Sequence, residues 1–197
     1  MTSNLRTFWQ WFEKNQDRIF SFESNTKEIF DELAAEIHRI HPDLAFEFGP
    51  VLKEGRREFV ISAGGIKAAF PAVESLYNEA PALSRWIWVK YRPRRASLCD
   101  IELGGKCVRV DDVRYMMARD AGKVGLILFF DGYSDKERST FGQIGYLLLD
   151  EALGEFAVET QVGFISFQSR DSKYFLKSRP LKELQSQWDE YWRRSSH

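Results

Sequence analysis

The run VGLILFF, residues 124–130, constrains this chain more than any other stretch. Side chains alternate faces along a strand, and here both faces are apolar. Such a strand has to be covered on both sides, which makes it a central strand rather than an edge. A membrane span is excluded, because crossing a bilayer takes about 20 apolar residues.

The flanking sequence supplies the cover. RYMMA (114–118) and the turn RDAGK lead into the run, as a hairpin would. After the polar loop DGYSDKER, Thr140-Phe-Gly-Gln143 reads as a capping box opening a helix through Leu153. Phe141, Ile144, Tyr146, Leu147, Leu148 and Leu149 make that helix apolar nearly all round, the profile of a buried helix. Gly142 and Gly145 would let a neighbour approach closely, and Gly154 stands where a left-handed C-cap is expected. VGFISF (162–167) is the last strand. A final helix from about Pro180 carries Leu181, Leu184, Trp188 and Tyr191.

The N-terminal half opens with helical spacing of Leu5, Phe8, Trp9 and Phe12. A second capping box, Asn25 to Glu28, precedes the stripe Ile29, Phe30, Leu33, Ile37 and Ile40, and Pro42 stops it. LAFEFG (44–49), a KEGR turn and REFVISA (57–63) form a hairpin. Gly64-Gly65 leads to a short helix with Pro71 at its first position and Val73, Leu76 and Tyr77 as its buried stripe. SRWIWVKY (84–91) is a strand. A hairpin turning at Gly104-Gly105 sets Leu103 opposite Lys106, Glu102 opposite Cys107, Ile101 opposite Val108 and Asp100 opposite Arg109. Cys99 and Cys107 then point to opposite faces, so no disulfide is expected. The acids around Cys107 disfavour a thiolate, so it is not read as catalytic.

Hairpins with helices at both chain ends argue for α+β, with a largely antiparallel sheet and one buried helix near 141–153. At 197 residues the expectation is a single globular domain, 1–197. A net charge of −1 offers no broad attraction to nucleic acid or to anionic membrane. The N-terminal stretch has charges among its aromatics and no signal-peptide apolar region, so a cytoplasmic location is expected.

The pieces FWQWFEKN, FEFGP, REFVISAGGIKAAFPAVESL, APALSRWIWVKYRPRR and FGQIGYLLLDEALGEFAVETQVGFI resemble a family of uncharacterised bacterial proteins of about 200 residues. The resemblance covers nearly the whole chain. It implies a bacterial, cytoplasmic, stand-alone domain, and it brings no activity, cofactor or catalytic residue to any position.

Candidate chemistry is therefore read from the residues. His38 and His41 share a helix face, but a metal site needs a third and usually a fourth ligand, and the one other histidine is His197 at the terminus. Neither a metal nor a cofactor is expected. The stretch WIWVKYRPRR places Trp88 and Arg92 on one strand face with Arg94 beyond, an arrangement able to stack on and clamp a single-stranded nucleic acid or a phosphorylated ligand. The competing assignment is a core strand with a solvated, basic end.

DEALGEFAVET carries Asp150, Glu151, Glu155 and Glu159. Asp150 and Glu151 fall in the last turn of the buried helix, where the dipole disfavours negative charge by about 0.3–1 kcal/mol each. Arg92, Arg94, Arg95 and Arg170 are the expected compensating groups, with a bound ligand the alternative. Past Gly154 the chain reads as an extended connector, which would hold Glu155 and Glu159 roughly 13 Å apart. They are candidates for an acid–base pair only if they come closer. The leading expectation is a binding or interaction module without catalysis, whose partner is a protein or a small anionic ligand. The alternatives are a small carboxylate-dependent hydrolase using Glu155 or Glu159, and an immunity or antitoxin-type protein.

Overall fold

The computed structural model describes residues 2–195, so His197 lies outside the described residues. The chain gathers into two compact units, Met1–Arg92 and Pro93–His197. Each has its own apolar core. The architecture is α+β with mostly antiparallel strand pairing. No described helix is long and apolar enough to cross a membrane.

The first unit packs helices α1 (Thr2–Phe20), α2 (Thr26–His38) and α3 (Phe70–Asn78) with a sheet of β1 (Ala45–Val51), β2 (Arg57–Ser62) and β3 (Trp86–Lys90). Most of the stripes read from the spacing are buried, Phe8, Trp9 and Phe12 from α1 and Ile29, Leu33 and Ile37 from α2, while Phe30 and Ile40 are half-buried. The Phe12 ring meets Phe59 of β2 at 5.1 Å and Trp86 of β3 at 5.0 Å, both edge-on, the arrangement aromatic quadrupoles favour. Strands β1 and β2 form the expected hairpin, with Phe46 opposite Ile61 and Phe48 opposite Phe59. Strand β3 instead runs parallel to β2, because α3 carries the chain back across the sheet.

The second unit begins with the hairpin β4 (Ile101–Leu103) and β5 (Lys106–Val108). Its register matches the sequence expectation at Ile101–Val108, Glu102–Cys107 and Leu103–Lys106. Both cysteines are free and exposed. Next come β6 (Arg114–Asp120), β7 (Lys123–Phe130), α4 (Arg138–Leu153), α5 (Glu155–Gln161), β8 (Val162–Ser169), β9 (Arg179–Pro180) and α6 (Leu184–Ser195). The sheet order β8-β7-β6-β9 makes VGLILFF a central strand, and every residue from Val124 to Phe130 is buried. Strand β8 joins β7 in parallel, because α4 and α5 make the crossover.

Two local expectations fail. Neither capping box forms its backbone bonds. The Asn25 side chain donates to the Glu28 carboxylate instead. Helix α4 starts two residues before Thr140, growing out of a single tight turn at Asp135–Glu137, so Thr140 lies inside the helix. Nor is α4 buried all round. It buries Phe141, Ile144, Leu148, Leu149, Ala152 and Leu153, while Tyr146 is 45% exposed. Gly145 does permit a close approach: a Cβ there would lie 2.2 Å from the Phe167 ring.

Candidate functional site

The acidic stretch is a corner between two helices. Gly154 has φ +84° and ψ 142°, which ends α4 by leaving the helical region altogether rather than by a left-handed turn. Its N–H still donates to the Asp150 carbonyl at 2.8 Å, and its own carbonyl accepts the Val158 N–H at 3.1 Å. That second bond starts a new helix. The expected extended connector is therefore α5, and Glu155 and Glu159 stand one helical turn apart on it rather than 13 Å along a strand. Two forces favour the helix. Glu155 sits in its first turn, where the dipole stabilises an acid. Helical spacing also buries Val158, whereas Phe156 is exposed.

Burial divides the four acids. Glu155 is 0% exposed and Asp150 is 6% exposed. Glu151 and Glu159 are half-buried. The end of α4 is capped by the segment that precedes the β4–β5 hairpin. The Arg95 N–H donates to the Glu151 carbonyl at 2.8 Å, and Arg94 Nε donates to the Leu153 carbonyl at 3.1 Å. The Glu151 carboxylate accepts the Cys99 N–H at 2.9 Å. Arg94 also pairs with Asp189 of α6 at 2.8 Å, and Gln185 donates to the Arg95 carbonyl. The strap from Arg94 to Cys99 thus satisfies carbonyls and a carboxylate that the helix end leaves open.

Of the arginines expected to compensate Asp150 and Glu151, Arg94 turns its guanidinium to the Leu153 carbonyl and to Asp189, and the Arg95 N–H bonds the Glu151 carbonyl. Arg92 pairs with Glu47 in the first unit. Arg170 donates to the Asp112 carbonyl at 3.1 Å and lies 3.7 Å from Asp131. Trp88 is built into the first unit's aromatic core: its ring meets Trp9 at 4.7 Å, and its Nε1–H donates to the Pro81 carbonyl at 2.7 Å. Lys90 pairs with Glu74 at 2.7 Å. WIWVKYRPRR is thus largely a core strand with a paired, basic end.

His38 Nε2 and the Leu44 carbonyl are 3.1 Å apart, and His41 Nδ1 accepts the Asp43 N–H. Both imidazoles serve the turn after α2. Among the described residues no cluster of three or more His, Cys, Asp or Glu side chains is arranged to hold a metal ion.

Three surface features were missed by reading the sequence. A polar cleft of about 350 Å³ in the second unit is lined by Cys107, Arg109, Asp112, Phe130 and Asp131. Strand β8 is a sheet edge. The third feature is the loop from Arg170 to Ser178. Phe175 packs edge-on against Phe129 at 5.8 Å, while its neighbour Leu176 is 94% exposed. The adjacent apolar pair in YFLK was the available signal, since one of two neighbours must face out unless both sides are covered. No protein-family model matches this chain, and no curated protein or solved structure proves similar to it.

Proposed function

We propose that the protein is a binding module without catalysis of its own, engaging a partner protein through the 170–178 loop. The observation carrying this proposal is Leu176, an almost fully exposed leucine on a loop fixed from within. Phe175 anchors the loop from below. The Ser178 hydroxyl donates to the Phe175 carbonyl at 2.6 Å, and Arg114 donates to the Ser178 hydroxyl at 2.8 Å. The Ser172 hydroxyl donates to Gln168 at 2.5 Å. A knob held this way loses little conformational freedom on binding, which is how a single apolar side chain becomes an energetic hot spot. Lys173 and Lys177, both exposed, flank it. They suit an apolar slot rimmed by acidic side chains. As the resemblance to bacterial proteins implies, the setting we propose is a bacterial cytoplasm.

A photo-crosslinking amino acid placed at position 176 in the producing cell should trap one discrete protein. Leu176→Asp should weaken that complex by about tenfold or more while leaving thermal unfolding unchanged. Absence of any discrete adduct would remove the basis for the proposal.

One observation favours a carboxylate hydrolase: α5 stacks Glu155 and Glu159 a turn apart, close enough for a paired acid and base. Against it, Glu155 exposes no surface to a substrate. Glu155→Gln and Glu159→Gln should leave turnover of an ester, phosphoester and glycoside panel unchanged, and a loss in both would establish the enzyme instead.

A further inference from the structure

We propose that the outer edge of β8 pairs with β8 of a second copy of this chain, antiparallel about a two-fold axis near Ser166. The surface is separate from the Leu176 loop and does not depend on it.

The sheet edges are treated unequally. Strand β1 carries Glu47, Pro50 and a register break between Phe48 and Val51. Strand β3 has Arg56 bonded to its Trp86 carbonyl and is stopped by Tyr91, held at φ +63°. Strand β9 is two residues long and contains Pro180. Short length, proline, charge and bulges are the ordinary ways of stopping an edge from pairing. Strand β8 is eight residues long, VGFISFQS, with no charge and no proline. Its inner side is bonded to β7. Among the described residues, no other hydrogen bond engages the backbone of 163–168. The one irregularity lies before Ile165, so the stretch from Ile165 to Ser169 is regular.

Exposed rings flank this edge on both faces of the sheet. On the α4 side, Phe167 meets the exposed Tyr146 at 6.1 Å. On the other side, Phe164 lies over Gly125 and is 41% exposed. A strand added to β8 would bond its free backbone groups and cover rings on both faces together. The occupant this edge accepts is an extended, uncharged strand with aromatic side chains on both faces, and β8 itself has that character. The uncharged strand selects no partner of opposite sign. The chain's net charge of −1 opposes no association of like copies. A two-fold axis gives each copy the same contacts and closes the assembly at a dimer.

Sedimentation velocity on the full chain should show a concentration-dependent dimer. Ser166→Glu sets like charges side by side at the axis and should weaken the dimer by about tenfold or more, whereas Ser166→Thr should keep it. Circular dichroism and the thermal midpoint control for folding. In a Cys99→Ser, Cys107→Ser background, Ser166→Cys should oxidise to a linked dimer, because paired strands bring Cα atoms within disulfide range. A monomer at about 100 μM, which pairing of β8 with some other peptide would also give, overturns the proposal. So does a dimer that neither responds to Ser166→Glu nor crosslinks.

Discussion

Tyr115 shows how a single residue can be placed for packing at the expense of its polar atom. It is 1% exposed on β6, and its hydroxyl has no hydrogen-bond partner among the described residues. Burial in apolar surroundings pushes its pKa up to about 12, with Arg179 opposing the shift. A buried hydroxyl without a partner costs about 1–3 kcal/mol, so Tyr115→Phe should be neutral or stabilising at pH 7 in urea unfolding. Alkaline pH adds a second cost to the wild type. The unfolded tyrosine ionises near 10, while the folded one holds its proton to about 12. Over that window the unfolded state binds fewer protons, so stability falls as pH rises. The advantage of Tyr115→Phe over the wild type should therefore widen between pH 10 and 12, and a gap that narrows there would refute this account of Tyr115.

At the scale of elements, α4 depends on glycines with different duties. At Gly142 an added Cβ would sit 3.7 Å from Phe167, an ordinary contact; at Gly145 it would sit 2.2 Å away, an overlap. Gly154 occupies a conformation open to glycine alone. Gly142→Ala should raise the thermal midpoint, since alanine favours a helix by about 0.8–1 kcal/mol over glycine. Gly145→Ala and Gly154→Ala should lower it, the latter by about 1–3 kcal/mol of backbone strain. A uniform response across the three would show that conformational freedom, not local geometry, sets their effect. The same elements show what was legible. The Gly104-Gly105 hairpin was readable to the residue, because a two-residue turn fixes register locally. Segment 155–161 was not. In seven residues, alternation and helical spacing fit the same letters, and only the burial of Glu155 and Val158 distinguishes them. Arg94 was read as a charge partner for the acids of the α4 end. Its acceptor, the Leu153 carbonyl, required the strap and the helix to be seen together.

For the molecule as a whole, charge partners set the response to acid. Bonds from Arg57, Arg18, Lys90 and Lys106 hold the carboxyls of Glu23, Glu32, Glu74 and Glu137 below their ordinary 4.5. A carboxyl whose folded pKa is depressed contributes stability above its unfolded pKa, and that contribution is lost as pH falls through the folded value. The urea midpoint should drop as pH goes from 5 towards 3, and Glu74→Gln should shrink that drop. An unchanged acid limb in Glu74→Gln would mean solvent screens the pair fully.

Outside segment 155–161, the sequence by itself determined where the chain would coil or extend, and most of the side chains that would be hidden. Phe8, Phe12, Leu33 and Ile37 followed from spacing, as did the central position of VGLILFF, because periodicity and burial are properties of one segment and water. Only the tertiary structure decided that β3 and β8 run parallel to their neighbours, that two cores form, and that the acids near Gly154 sit at a helix corner capped by a strap some 55 residues earlier in the chain. Those outcomes depend on which distant segments meet. The letters of neither segment carry that information, because the energy that selects the pairing comes from surfaces formed only when both are folded.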